Sequence, residues 1–258
     1  MLNILLERNP FNVDASCVIK KLNTMKTTFF KRLLLCVGMV GILSSCSLDD
    51  DSNNYVNYPE PEVAYGIIAN ASPASGDLFF FADTNRVNDT PLAFTNALGY
   101  YNFALGNRVL SVKNSAGNTL ATQNITLERG DAFSAFAVNT FDDLEIVVYR
   151  DSIASANAGK AYVRFINLSP DADPISVSGT TQTFAASLAF KQATPFTEVT
   201  PGSYDFTYKD IATQDTLAQD SAVAFRAGRI YTIYTKGFTT PPTGSNDTFS
   251  TKVIQHNN

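Results

Sequence analysis

The sequence predicts an all-β protein made of two tandem antiparallel β-sandwiches. Three observations carry that expectation. The chain repeats itself: Ala64-Tyr65-Gly66-Ile67-Ile68-Ala69-Asn70-Ala71-Ser72-Pro73 lines up with Ala161-Tyr162-Val163-Arg164-Phe165-Ile166-Asn167-Leu168-Ser169-Pro170, at an offset of 161 − 64 = 97 residues. Its apolar residues fall in short β-branched and aromatic runs punctuated by Gly, Pro, Asn and Asp, with no run of helical period. With 45% hydrophobic and 17% charged residues over 258 positions, the chain can build real cores and is not a disordered acidic tail.

Composition also excludes whole classes of chemistry. One His, no Trp and three Cys rule out a His/Cys zinc finger and a Cys-ligated iron–sulfur cluster. A net charge of −5 argues against nucleic acid as a partner. No cofactor or metal is expected.

Taken in order, the chain opens with an upstream segment and a signal peptide over 1–45. Lys26, Lys31 and Arg32 precede an apolar run at 33–43, about half of the roughly 20 residues that a transmembrane helix needs, and small residues follow. Residues 1–24, with Glu7, Arg8 and Asp14, do not fit the charged start of such a signal, so Met25 is the expected start. Leu43-Ser44-Ser45-Cys46 resembles a bacterial lipobox. The resemblance implies cleavage before a diacylated Cys46, with Leu43, Ser44 and Ser45 recognised by the signal peptidase, and attachment to a membrane through acyl chains. Two or three chains make a stable anchor where one does not. Cleavage leaves 13 basic against 22 acidic residues, or −9, and no thiol free for a disulfide.

Residues 46–62 read as a flexible tether that cannot bury a core. Its acidic run, Asp49, Asp50 and Asp51, resembles the export signal of Bacteroidota lipoproteins. That implies display on the outer face of the outer membrane; a plain solvated tether is the other reading.

The first sandwich is expected over 63–150, with strands at 64–70, 78–82, 119–127, 131–138 and 144–149 and a hairpin joining 100–105 to 108–112 through Gly106-Asn107. Residues 151–160, rich in Ala and Ser, read as a linker between independently folding copies. The second sandwich spans 161–255, where Pro201-Gly202 is expected to turn a hairpin between 196–199 and 204–208, with Gly202 at positive φ. About seven strands per copy follow, with alternate side chains facing a core.

Asn167-Leu168-Ser169-Pro170 followed by Asp171-Ala172-Asp173-Pro174 resembles the secreted family called domain of unknown function 4397. The resemblance implies two tandem immunoglobulin-like extracellular modules without enzymatic activity. The second copy fits better, because the first has Gly66 at the position of Arg164 and Ala74-Ser75-Gly76 after Ser-Pro.

Candidate chemistry is thin. A Ser-His-acid triad needs an oriented His, and His256, two residues from the end, is expected to fray. Asp142-Asp143 and Asp171 with Asp173 are the visible carboxylate clusters. Asp171 and Asp173 form the candidate ligand loop, against an alternative in which they bond only their own turn. Phe79-Phe80-Phe81 must point rings to both faces of a strand, leaving some partly exposed or between the two copies. No catalytic residue is assigned. The sequence therefore predicts a non-enzymatic, lipid-anchored protein of the cell envelope or surface, acting in adhesion, in capture of an envelope or extracellular ligand, or as an accessory to a surface complex. A carboxylate-dependent hydrolase of envelope or glycan material and a structural spacer are the alternatives.

Overall fold

The computed structural model describes residues 62–256 apart from 152, 154 and 155. The first sandwich contains β1 (Val63–Asn70), β2 (Phe79–Ala82), β3 (Asn85–Arg86), β4 (Ala97–Ala104), β5 (Gly106–Lys113), β6 (Thr119–Leu127), β7 (Ala132–Val138) and β8 (Glu145–Arg150). The second contains β9 (Ala161–Asn167), β10 (Ile175–Gly179), β11 (Thr183–Leu188), β12 (Thr197–Val199), β13 (Gly202–Asp210), β14 (Thr216–Phe225), β15 (Ile230–Lys236) and β16 (Ser250–His256). The sheets run β4-β1-β7-β8 and β3-β2-β5-β6 in the first, β12-β9-β15-β16 and β11-β10-β13-β14 in the second. Strand for strand the two orders are the same, which is the repeat made visible in space.

Both hairpin expectations are corrected. β4 pairs with β1 and β5 pairs with β2 and β6, so Gly106 is a crossing from one sheet to the other. Its φ of +90° fits that sharp change of direction. In the second copy β12 pairs with β9 while β13 pairs with β10 and β14, and Gly202 is absent from the positive-φ glycines. Each crossing is clamped by a side chain bonding four residues back: Arg108 Nε donates to the Ala104 carbonyl at 3.1 Å, and the Tyr204 hydroxyl to the Thr200 carbonyl at 2.7 Å.

The sheets are also not purely antiparallel. β1 runs parallel to β7 and β9 parallel to β15, at the centre of their sheets. The ladders fix equivalence between the copies. Gly66 faces Phe133 as Val163 faces Tyr231, so Gly66 matches Val163, and Ile67, not Gly66, stands where Arg164 stands. A Cβ on Gly66 would lie 2.5 Å from the rings of Phe103 and Phe133, which meet edge to face at 4.9 Å. The first core fills with two large rings the space that Val163 occupies in the second.

Three apolar clusters hold the molecule. The first joins the two sheets of the first sandwich around Ile68, Phe80, Leu110 and Phe133, and the second does the same around Val163, Phe165, Phe206 and Tyr208. The third lies between the sandwiches: Ile67, Ala69, Phe136 and Val138 pack against Ile166, Leu168, Tyr234 and Ile254, with the Phe136 and Tyr234 rings edge to face at 5.1 Å. The β1 and β9 sheets thus have both faces covered, and the structure is a stack of four sheets. This explains why β7, β9 and β15 are buried almost without alternation, the pattern of strands covered on both sides.

Candidate functional site

The Asn-x-Ser-Pro motif is structural in both copies. Asn70 and Asn167 end β1 and β9 fully buried, and their Oδ1 atoms accept the backbone N–H of Ser72 at 3.0 Å and Ser169 at 3.2 Å. The serine hydroxyls then donate across the sheet to the carbonyls of Asn139 at 2.6 Å and Gly237 at 2.7 Å, just past the parallel partner strands. Each motif fastens the ends of two parallel strands, a contact that buried polar groups require.

The candidate loop after that motif splits in two. Asp171 accepts from the backbone N–H groups of Thr239 at 2.8 Å and Thr240 at 2.9 Å and from the Thr239 hydroxyl at 2.9 Å. Its carboxylate is committed to the neighbouring loop. Asp173 is exposed and enters no such bond, so the pair does not converge. Asp142 and Asp143 sit exposed on a turn of 3-10 helix at Phe141–Asp143. Cys46, Leu43, Ser44, Ser45 and Asp49, Asp50 and Asp51 lie outside the described residues.

The structure instead gathers polar chemistry between the sandwiches. Asp151, expected in a linker, is 4% exposed and forms a buried ion pair with Arg164. The other Asp151 oxygen accepts from Ser134 at 2.7 Å. Arg164 Nε donates to Thr232 at 2.9 Å, and its guanidinium lies 4.7 Å from the Phe196 ring. His256, far from frayed, is 1% exposed: Nε2 is 2.7 Å from the Thr232 hydroxyl and Nδ1 is 2.6 Å from the Tyr100 hydroxyl. A neutral ring protonated on Nε2 donates to Thr232 and accepts from Tyr100, so both nitrogens are partnered. Burial drives the His256 pKa down to about 4, Asp151 pulling it up and Arg164 pushing it further down. Burial, reinforced by the Asp151 charge, holds Tyr100 above the ordinary phenol range. The cluster joins β4, β7 and the end of β8 to β9, β15 and β16. Its groups are partnered with one another out of water and bond the first sandwich to the second.

Two clefts open nearby. One of about 280 Å³ lies where β4 meets β16, with Asn96, Tyr100, Lys252 and Gln255 in its lining, so Tyr100 is both cleft wall and His256 partner. The other, about 190 Å³, lies at the open side of the first sandwich, with Asp83, Arg86, Tyr101 and Arg108 in its lining. Sequence reasoning missed the buried cluster because its members are scattered from Tyr100 to His256. The visible signal was Arg164 inside an otherwise apolar strand: a buried guanidinium demands a buried acid.

Phe79, Phe80 and Phe81 divide as strand geometry requires. Phe80 is fully buried in the first core, whereas Phe79 and Phe81 are half-buried on the outer face. There Arg86 lies 3.9 Å over the Phe79 ring and Lys113 4.4 Å over Phe81.

Residues 67–178 match the family model described as Domain of unknown function (DUF4397). The match covers the first sandwich from within β1 and runs on through β9 and most of β10; it leaves the rest of the second copy outside. No curated protein matches the chain. Among solved structures, a streptococcal virulence factor described for alpha-glucan binding is similar at 10% identity and a TM-score of 0.21, over 66% of this chain and 92% of that one. A candidate cell-adhesion protein from Bacteroides eggerthii is similar at 8% identity and a TM-score of 0.20, over 75% of this chain and 95% of that one. With overlap this slight, the fold rests on the strand pairing itself.

Proposed function

We propose that this protein is a lipid-anchored, non-enzymatic component of a bacterial cell envelope, carried on the outer membrane and facing outward, where it captures an envelope or extracellular ligand. The observation that carries the reading is Leu43-Ser44-Ser45-Cys46 behind a basic and apolar leader, followed at once by Asp49, Asp50 and Asp51. A stack of four sheets supports it, because such a block offers broad outer faces and edge strands at the end of a tether. The use of Asp151 and Asp171 in internal bonds also supports it, since those carboxylates are not poised as an acid–base pair.

The test is metabolic labelling of cells with a fatty-acid analogue. Label should enter the wild type and vanish in Cys46→Ala; label persisting in the variant would overturn the anchor. Replacing Asp49, Asp50 and Asp51 together by Ala should keep the label but shield the protein from protease added to intact cells. Unchanged cleavage would reduce the acidic run to a tether.

A further inference from the structure

Because the two sandwiches are copies, each position on one has a counterpart on the other. A side chain demanded by the fold alone should have a counterpart of like chemistry. On the outer face of β2, β3 and β5 that expectation fails. Phe79 pairs with Lys113 as Ser176 pairs with Lys209, and Phe81 pairs with Ser111 as Ser178 pairs with Thr207. Phe81 pairs with Arg86 as Ser178 pairs with Thr183. The second copy therefore carries Ser176, Ser178 and Thr183, on a longer and bulged pairing of β10 with β11, where the first carries Phe79, Phe81 and Arg86. Hydroxyls suffice for the fold, so the rings and the guanidinium are surplus to it.

What the first copy gains is Arg86 and two rings: this cation and Lys113, whose counterpart Lys209 is also a lysine, are each backed by an aromatic ring. Arg86 lies over Phe79, and it is held further by Nε donating to the Asn88 carbonyl at 2.8 Å and Nη2 to the Asp89 carbonyl at 2.7 Å. Nη1 has no partner among the described residues. Lys113 lies over Phe81, two residues along the same strand, which spaces the two rings by roughly 7 Å. A guanidinium already fixed in place loses little freedom on binding, and a charged donor gives the stronger hydrogen bond. In a chain of net charge −5, this pairing is not a by-product of a basic surface.

We infer that the outer face of β2, β3 and β5 in the first sandwich binds an acidic glycan strand, with Arg86 and Lys113 meeting its carboxylates and the Phe79 and Phe81 rings holding those two cations in place. Charge complementarity selects an anionic partner. The backbone groups of β2 and β5 are spent on neighbouring strands, so this face offers an added peptide strand no ladder to join, which favours a glycan. Neither Phe79 nor Phe81 is among the large apolar side chains that stand exposed, so the face has no aromatic tip to sink into a bilayer. The inference deepens the reading of the protein as one that captures a ligand, but it does not depend on the anchor.

The experiment uses the full chain carrying Cys46→Ala, which lacks the acylation site and keeps this face. Polygalacturonate is titrated against it, with dextran of matched length as the neutral probe. Polygalacturonate should bind saturably and at least tenfold more tightly than dextran. Phe79→Ser with Phe81→Ser and Arg86→Thr, which transplants the second copy's face onto the first, should lower that affinity at least tenfold with little change in melting temperature. Should the transplant misfold, Arg86→Gln with Lys113→Gln removes the charge alone and should weaken binding likewise. Equal binding of dextran, or full affinity in a folded variant, would overturn the proposal. So would phosphatidylglycerol vesicles or polyglutamate binding as tightly as polygalacturonate, which would make the partner a membrane or an acidic peptide. Failure of lipid labelling at Cys46 would remove the anchor and leave this titration untouched.

Discussion

His256 and Tyr100 meet at 2.6 Å across 156 residues of sequence, bonding the last strand of the second sandwich to an edge strand of the first. The contact makes acid a specific threat to the stack. The unfolded chain takes up a proton on His256 near the ordinary value of 6.5, whereas the folded chain resists until about pH 4. Stability is therefore complete above pH 6.5, drains as pH falls through that window and levels off below it, a loss of about 3 kcal/mol if the full shift applies. Thermal melts from pH 7.5 to 4.5 should fall more steeply for the wild type than for His256→Gln. Parallel curves would exclude His256 as the sensor.

Arg164 and Asp151 should behave as a buried pair. Asp151→Asn leaves a guanidinium at 3% exposure without its counter-charge, at a cost of about 3 to 5 kcal/mol in denaturant unfolding. Adding Arg164→Met to that variant should restore part of the loss. Additive losses would mean that the two side chains are not coupled.

Tyr234 carries the opposite expectation. Its hydroxyl is buried between the sandwiches with no hydrogen-bond partner among the described residues. Tyr234→Phe keeps the ring against Phe136 and removes the stranded oxygen, so it should raise stability by about 1 kcal/mol. A drop in the melting temperature would show that the oxygen has a partner after all.

Asp171→Ala should cost about 1 to 2 kcal/mol, since three donors of Thr239 and Thr240 lose their acceptor. Asp173→Ala should stay within about 0.5 kcal/mol. Equal melting temperatures for the two variants would refute this division of the loop.

Expressed apart, 62–152 and 158–258 should each expose one side of the shared cluster and associate with themselves, then recombine when mixed. Size-exclusion chromatography with and without mixing decides this; two well-behaved monomers that ignore one another would demote the third cluster to a passive contact. Phe136→Ala in the intact chain should cost about 3 to 5 kcal/mol for the same reason.

Much of the fold was legible in the chain. The repeat of Asn-x-Ser-Pro, the short aromatic runs and the glycine before each crossing fixed strands and copies, because those signals are local. The pairing of β4 with β1 was not legible. Gly106-Asn107 reads as a hairpin turn whenever the two flanking runs are assumed to be partners, and only the ladder distinguishes a turn within a sheet from a crossing between sheets. The shared layer did leave a trace. Ala-Phe-Ser-Ala-Phe-Ala-Val at 132–138 and Ile-Tyr-Thr-Ile-Tyr-Thr-Lys at 230–236 do not alternate cleanly between apolar and polar, as strands with one wet face do. Asp151 was hidden for a different reason: a lone acid in an Ala- and Ser-rich stretch has no pattern, and its role exists only once Arg164, Ser134 and His256 converge on it.

The position of β1 has a mechanical consequence. The segment that precedes Val63 delivers any external pull to a strand laced to β4 on one side and β7 on the other. A force directed along β1 must shear both ladders at once instead of peeling an outer strand bond by bond. The Asn70 and Ser72 fastening at the far end of β1 adds a further stop, since Ser72 grips the carbonyl of Asn139 beyond β7. A pull through that segment thus loads the molecule at one of its most resistant points.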